Sequence, residues 1–553
     1  MNEFVKYLNG LHNYYAQNQN AYGERNVESP FYAKTMVPIR VCDYIISSIN
    51  NIEPHIIILT GHAGDGKTSI MFQVIDRLGA KADSLEPIQE IVTESGRSIC
   101  CIKDFSELSD SRKKETLQNA ISLLAQGKYV FMVANTGPLI NTFGSMFSEK
   151  KESDAAKMAL IEAMDSNDGE IKELFGYRMA VINVAAIENT GFAKQYLTKI
   201  ISPELWESCQ NCSKREYCHI LRNKNLLEIN RDRAMEFIEF FYIWQTEYGT
   251  RLTIRSMTEQ LAYMMTGGDD CDSVCPAMPH EKLFPNLFFG YEGIVSNPLA
   301  ENILAVKSAK NSAIFLKRMR ADEELLIRRN YKELFGSAVN KIIEETNDHT
   351  KLYKGFDEEL RRIYLFLNIV SEEQHTKDLE DIFSKQFIPY LNVRNEEKKP
   401  TKSQKSLVID ALRMIYQGTV INSTNMIPIT MSTEGGITQN VQLIAGVLNT
   451  GDIELGAEED SVLNKDRKKL ILKIKKKKEC LLTLPMVDHF EELKNGVIDT
   501  SMDPQLSYGI ENLKSRLLEL ADMDDDKLDL LVMDNKGFTQ KSIVIEDGKI
   551  FLQ

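Results

Sequence analysis

The sequence predicts an α/β fold: a parallel sheet covered by helices on both faces, then a helical lid, then an α+β C-terminal domain. Three observations predict it. Apolar runs at 56–59 (IIIL), 99–102 (ICCI), 129–134 (YVFMVA) and 179–186 (MAVINVAA) alternate with helix-periodic segments, as strands buried on both faces do. The glycine-rich stretch 61–69 (GHAGDGKTS) lies between the first run and an apolar-periodic segment at 70–78, in the order strand, loop, helix. Beyond residue 406 the alternation stops and β-type stretches with turn signals take over.

The elements follow in chain order. Residues 1–50 are an N-terminal helical lead and linker. Leu8, Leu11, Tyr14 and Tyr15 form a short amphipathic face, and 31–40, with Pro38, reads as a linker. Ile39, Val41, Tyr44, Ile45 and Ile46 predict a helix before the first strand. Residues 51–248 are the α/β domain with a cysteine cluster, with helices expected at 111–126 and 155–164. Met235, Phe237, Ile238, Phe241 and Ile243 give a wide apolar helical face, broken at 249–255 and resumed at 257–265. Residues 249–392 are therefore read as a helical lid and helical domain. Residues 393–406 (VRNEEKKPTKSQKS) are polar and contain proline, as a linker does. Residues 407–553 form the α+β domain: a helix at 407–416, β-type stretches at 420–431, 441–448 and 469–484, a helix at 510–520, and closing strands at 528–533 and 541–552. Glu546-Asp547-Gly548 is a hairpin turn signal.

Bulk properties narrow the function classes. A chain of 553 residues predicts two to four domains, and a 43% hydrophobic content lets each bury a core. The formal net charge of −14 excludes a generic nucleic-acid coat and leaves room for a local basic patch. The first twenty residues are polar and aromatic, unlike a signal peptide, and no apolar run approaches the ~20 residues of a membrane span. A cytoplasmic location with no membrane partner is expected.

The stretch 61–69 has the Walker A spacing G-x-x-x-x-G-K-T. Its glycines let backbone N–H groups approach phosphate oxygens, and the following helix N-terminus adds positive potential there. Gly61, His62, Ala63, Gly64, Asp65, Gly66, Lys67, Thr68 and Ser69 are thus the nucleotide-binding candidates, with Lys67 reaching the β- and γ-phosphates and Thr68 ligating Mg²⁺. ATP and Mg²⁺ are the expected cofactors; the chemistry of the loop does not separate ATP from GTP. Asp104, ending the 99–102 strand, is the candidate Mg²⁺-holding acid, provided its strand lies next to the 56–59 strand; its alternative is a helix N-cap. Glu107 is the candidate for polarising water, against a solvated first-turn glutamate. Asn135, ending the 129–134 strand, stands where AAA+ ATPases place a γ-phosphate-sensing polar residue (sensor 1), against a turn-forming asparagine. Arg255 is a candidate second sensor and Arg251 a candidate finger acting in trans, against surface ion pairs for both. In P-loop ATPases a linker like 31–40 often covers the adenine base, an analogy at fold level. The fold class is therefore an α/β P-loop NTPase, AAA+-like.

Five of the nine cysteines fall between 209 and 275. Cys209 and Cys212 form C-x-x-C and Cys218 follows, a spacing that can wrap one tetrahedral ion, so a structural Zn²⁺ is expected, with free thiols or a redox pair as alternatives. The fourth ligand is open among Cys271, Cys275 and His219; Cys271, just after a helix and a Gly-Gly turn, is chosen. Residues 465–478 hold nine basic residues against one acid. Lys473, Lys475, Lys476, Lys477 and Lys478 are candidate DNA-backbone contacts, against an edge strand protected by lysines.

Together GHAGDGKTS, KDFSEL, VFMVANTG, the C-x-x-C-x5-C segment and the RLTIR-to-TGG helix resemble the DptF-type ATPases of DNA-phosphorothioation-dependent restriction systems, bacterial anti-phage proteins. LLTLPMVDHFEELKNG and IENLKSRLLEL are also similar to that family's C-terminal part. The resemblance implies an ATP-hydrolysing subunit, an ATPase acting as motor, gate or sensor in a multi-protein complex that restricts DNA lacking phosphorothioate modification. It implies two further restriction proteins as partners, with oligomerisation and DNA contact compatible. No H-N-H or PD-(D/E)xK nuclease motif is visible. The alternative is a signalling (STAND/AAA+-like) NTPase that oligomerises with nucleotide on sensing a protein ligand, without DNA. A small-molecule kinase is a third reading that the long additions disfavour.

Overall fold

The run IIILT is apolar at every position, so only a strand covered on both faces can hold it, and β1 (Ile56–Thr60) is buried along its whole length. In the computed structural model the chain is described except at residues 1, 15–28, 81–85, 104, 175, 275–279, 347–354, 369–371, 396–397, 418–424, 432–439, 460–462, 464–467, 498–502, 522–526, 535–536, 547–548 and 553. It divides into two compact units, Met1–Asp378 with Ser461–Asn464, and Leu379–Asp460 with Lys465–Gln553.

The first unit begins with α1 (Glu3–Gly10), α2 (Pro30–Thr35) and α3 (Val41–Asn51). Residues 30–35, expected in a linker, are helical: Ser29 caps Phe31 N–H and Pro30 takes the first turn, where a missing N–H costs nothing. After β1 come α4 (Lys67–Arg77), β2 (Ile88–Val92), β3 (Ser98–Ile102), α5 (Asp110–Ala125), β4 (Tyr129–Val133), α6 (Thr136–Gly144), α7 (Lys150–Ser166), β5 (Ile171–Leu174) and β6 (Tyr177–Asn183). The run at 179–186 leaves the strand at Asn183, whose side chain accepts from Ala185 N–H and turns 184–186 into a 3₁₀ helix.

The sheet order is β2-β3-β4-β1-β6-β5. The four central strands are parallel, with Ile56 opposite Val130 and Met179. Both outer strands are antiparallel, so the sheet is mixed and not purely parallel as expected. β2 (IQEIV) and β5 (IKEL) escaped sequence reading because edge strands are half solvated and lack continuous apolar runs. The period of two sends Ile57 and Leu59 into one core with α3 and α4, and Ile56 and Ile58 into the other with α6 and α7. Each fully buried Ile or Leu contributes about 2 kcal/mol.

Helices α8 (Thr190–Ile200), α9 (His219–Ile229), α10 (Arg231–Glu247) and α11 (Ile254–Thr266) follow. Thr253 and Ser256 form a capping box at the start of α11, and Gly267 ends it in the left-handed region. Next come α12 (Phe284–Phe288), a small hairpin of β7 (Tyr291–Glu292) and β8 (Val295–Ser296), and further helices including α13 (Leu304–Ser312) and α14 (Phe356–Leu367). Among the described residues no helix is long and apolar enough to cross a membrane.

The second unit holds helices α15 (Phe387–Arg394), α16 (Lys402–Gln417), α17 (Leu484–Lys494) and α18 (Pro504–Leu520). Its strands are β9 (Met426–Met431), β10 (Val441–Asn449), β11 (Ile453–Glu459), β12 (Lys468–Ile474), β13 (Lys477–Leu481), β14 (Lys527–Asp534), β15 (Gly537–Glu546) and β16 (Lys549–Leu552). They form an antiparallel sheet β16-β15-β14-β10-β9 and a second sheet β11-β12-β13. Of the stretch 393–406 expected as a linker, 393–394 belong to α15 and 402–406 to α16, leaving 395–401 as their connection, inside this unit. Of the expected 546–548 turn, residues 547–548 lie outside the described residues, and Glu546 pairs with Lys549 across it.

Candidate functional site

The loop after β1 turns through left-handed glycines, Gly64 at φ 89° and Gly66 at φ 85°. A Cβ on Gly66 would stand 2.9 Å from Ile254 Cδ1, and one on Gly64 3.1 Å from Thr253 Oγ1, so both positions need glycine for space as well as for φ. The loop is thus packed against the start of α11, and Arg255 N–H donates to the Gly64 carbonyl at 3.2 Å. The buried Asp65 carboxylate accepts from His62 N–H at 2.6 Å and from Arg251 Nη2 at 2.9 and 2.7 Å. Arg251, expected to act in trans, is held in cis by this pair.

Lys67 opens α4, and its ammonium donates to the His62 carbonyl at 2.5 Å. Burial pushes its pKa down, Asp65 opposes this, and the Arg251 and Arg255 cations push it further down. A cation so placed gains from any anion that enters. Lys67, Thr68, Ser69 and Arg255 line one cavity of about 310 Å³.

The strand ends contribute to the same cavity. Lys103, Ser106 and Glu107, after β3, and Asn135, after β4, line it too. Ser106 Oγ accepts from Asn135 N–H at 2.6 Å, tying the two strand ends together. Asp104 lies outside the described residues. The condition placed on it, that its strand adjoin the 56–59 strand, is not met: β4 lies between β1 and β3. By that condition the Mg²⁺ assignment of Asp104 fails. Two strand spacings are about 10 Å, and the cavity spans all three strand ends, bringing Glu107 to the same space as Thr68.

Aromatic and aliphatic side chains also line the cavity, among them Tyr7, Leu11, Tyr32, Met36, Phe192 and Tyr196. Gln73 on α4 holds the 37–39 segment in place: its Oε1 accepts from Ile39 N–H and its Nε2 donates to the Val37 carbonyl, both at 3.1 Å. Burial pushes the Tyr32 phenol up, and the Ser69 hydroxyl near it opposes this. Sequence reading missed Lys103, Gln73, Phe192 and Tyr196. The i, i+4 pair Phe192/Tyr196 in a helix starting beyond the carboxyl end of β6 was the available signal.

The cysteines build a second site. Cys209, Cys212, Cys218 and Cys271 line one cavity of about 260 Å³. Lys214 draws the Cys271 loop against the C-x-x-C turn, donating to the carbonyls of Cys271 at 3.0 Å and Asp272 at 2.8 Å. N–H groups point at sulfur: Asn2 Nδ2 to Cys209 at 3.3 Å and Leu221 N–H to Cys218 at 3.5 Å. Burial first, then the neighbouring sulfurs, pushes the thiols of Cys218 and Cys271 up. His219 Nε2 faces the Thr266 carbonyl at 3.1 Å and does not line the cavity, and Cys275 lies outside the described residues. Among the described residues no group of three or more His, Cys, Asp or Glu side chains is arranged to hold a metal ion. Three or four thiolates are a donor set that suits Zn²⁺.

In the second unit the lysine-rich stretch is the β12–β13 hairpin, turning at Lys475 and Lys476 with φ 50° and 65°. β12 is the middle strand and faces acidic β11, with Glu459 opposite Lys468 and Glu458 opposite Lys469. Lys473 pairs with Glu458 at 2.6 Å, which takes it out of the expected basic patch. Lys475, Lys476 and Lys477 are exposed, and the Lys478 side chain lies outside the described atoms. Comparison of the chain with protein-family models, with curated proteins and with solved structures finds no match.

Proposed function

We propose that the chain is an ATP-binding and ATP-hydrolysing subunit, an AAA+-like P-loop ATPase, of a cytoplasmic bacterial DNA restriction and anti-phage complex. One observation carries the nucleotide part: a single cavity is lined both by a glycine loop with cations and by aromatic side chains. That combination matches a polyphosphate with a planar base. The loop N–H groups, Lys67 and Arg255 would hold the phosphates. Thr68 would hold Mg²⁺, which would supply neutralisation of charge developing on the phosphates. Glu107 would orient water and Asn135 would sense the γ-phosphate. Arg255, on the helix packed against the loop, would pass that state to the helical lid. A Zn²⁺ held by Cys209, Cys212, Cys218 and Cys271 would act as a structural clasp, since four protein ligands leave no open position.

The restriction part rests on the family resemblance, and DNA contact on the hairpin tip at Lys475–Lys477. Purified full-length protein tests both parts. Lys67→Ala should cut ATP binding at least a hundredfold with an unchanged melting temperature. Wild-type protein that binds no ATP, or a variant that binds it equally well, would refute the nucleotide reading. Unmodified duplex DNA should stimulate turnover, and replacing Lys475, Lys476 and Lys477 together by Ala should remove that stimulation. Turnover indifferent to every DNA would leave the ATPase standing and favour the protein-sensing alternative.

A further inference from the structure

We infer that Tyr196 reads the base: its hydroxyl hydrogen-bonds the edge of a purine seated among the aromatic side chains that line the cavity. This rests on the nucleotide reading above and adds a specificity-determining residue to it.

Tyr196 lies on α8, is 4% exposed, and lines the cavity. Its hydroxyl oxygen is buried, and among the described residues it has no hydrogen-bond partner. A buried hydroxyl is almost always paired, and leaving one unpaired destabilises the fold. An orphan at the wall of a cavity is therefore accounted for by a ligand that supplies the partner.

Other polar groups of the lining are engaged: those of Tyr7, Thr35 and Gln73. The Tyr7 hydroxyl meets Thr35 Oγ1 at 3.2 Å, and Thr35 in turn donates to the Phe31 carbonyl at 2.9 Å. Both ends of the Gln73 amide are spent on the backbone of Val37 and Ile39. The Tyr196 ring stacks on Phe192 at 5.5 Å between centroids and 11° between planes, which limits its swing toward a different partner. Burial raises its pKa well above the ordinary value, so it stays a neutral phenol that can both donate and accept. A purine edge offers a ring nitrogen beside an exocyclic amine or carbonyl, and a phenol serves either.

The test is Tyr196→Phe in the full chain, with titrations of ATP, CTP and inorganic tripolyphosphate beside melting of the ligand-free protein. ATP should bind about tenfold more weakly, as expected when one buried hydrogen bond to a ligand is lost. Tripolyphosphate affinity should not change, and CTP should change less than threefold. The ligand-free melting temperature should stay or rise, because the substitution removes an unsatisfied group. Unchanged ATP affinity, equal weakening of ATP and CTP, weaker tripolyphosphate binding, or a lower ligand-free melting temperature each overturns the inference and leaves the nucleotide reading intact. Wild-type protein that binds none of the three overturns both.

Discussion

Removing Arg251 should unfasten the loop from the helical segment that follows it, and the size of the effect follows from exposure. The Asp65 side chain is 5% exposed and that of Arg251 41% exposed, with 2.7 Å between them. Unit charges about 4 Å apart in a medium of effective dielectric about 20 attract by about 4 kcal/mol before desolvation. Exposed pairs keep at most about 1 kcal/mol of this, whereas breaking a buried pair costs about 3–5 kcal/mol. With one partner buried and the other half in water, Arg251→Ala should cost about 2 kcal/mol, most of it from stranding the Asp65 carboxylate. Adding Asp65→Asn removes that stranded charge and keeps an oxygen for His62 N–H. The double variant should therefore be more stable than Arg251→Ala alone, by about 1 kcal/mol. Calorimetry of the full chain reads this as a fall of about 3 °C in the first transition for the single variant, partly recovered in the double. A double variant as unstable as the sum of its singles would refute the pairing. If Arg251→Ala leaves melting untouched and abolishes only concentration-dependent turnover, the arginine acts in trans after all.

His12 is buried against the ring edges of Tyr14 and Tyr263, and burial lowers its pKa from 6.5 to about 4. Between those values the unfolded chain binds the proton and the native one does not, so stability should fall as pH drops from 6.5 to 4, by about 3 kcal/mol at most. His12→Gln should flatten that slope in pH-dependent melting; an unchanged slope would assign the effect elsewhere. For the cysteine cavity, metal analysis of purified protein should find about one equivalent of Zn²⁺, lost in Cys212→Ser. Less than about half an equivalent in the wild type would remove the metal from the proposal.

The elements that sequence reading located are those with continuous signals. β1, β3, β4 and β6 are apolar runs, and the loop at 61–69 carries its own spacing. β2 and β5 were invisible because a half-solvated edge strand has no such run. β11 was missed for a related reason: IELGAEE is too acidic to read as a strand until basic β12 lies beside it. In the site, Lys67, Thr68, Glu107, Asn135 and Arg255 were named from sequence, and all five line one cavity. Lys103, Gln73, Phe192 and Tyr196 were not, since nothing local separates a cavity-lining aromatic or amide from a core one.

The sequence by itself determined where the chain can turn tightly beside an anion, because that depends on glycines and a lysine at fixed spacing over nine residues. It also marked the cysteines that could share one ion. Tertiary structure alone decided that β4 separates β1 from β3, that Arg251 is spent on Asp65, and that Lys473 is spent on Glu458. It also brought Tyr196 to the same cavity as Lys67 while leaving its hydroxyl without a partner among the described residues. These are contacts between residues far apart in the chain. Their partners are chosen by strand order and helix packing, which no local pattern of residues encodes.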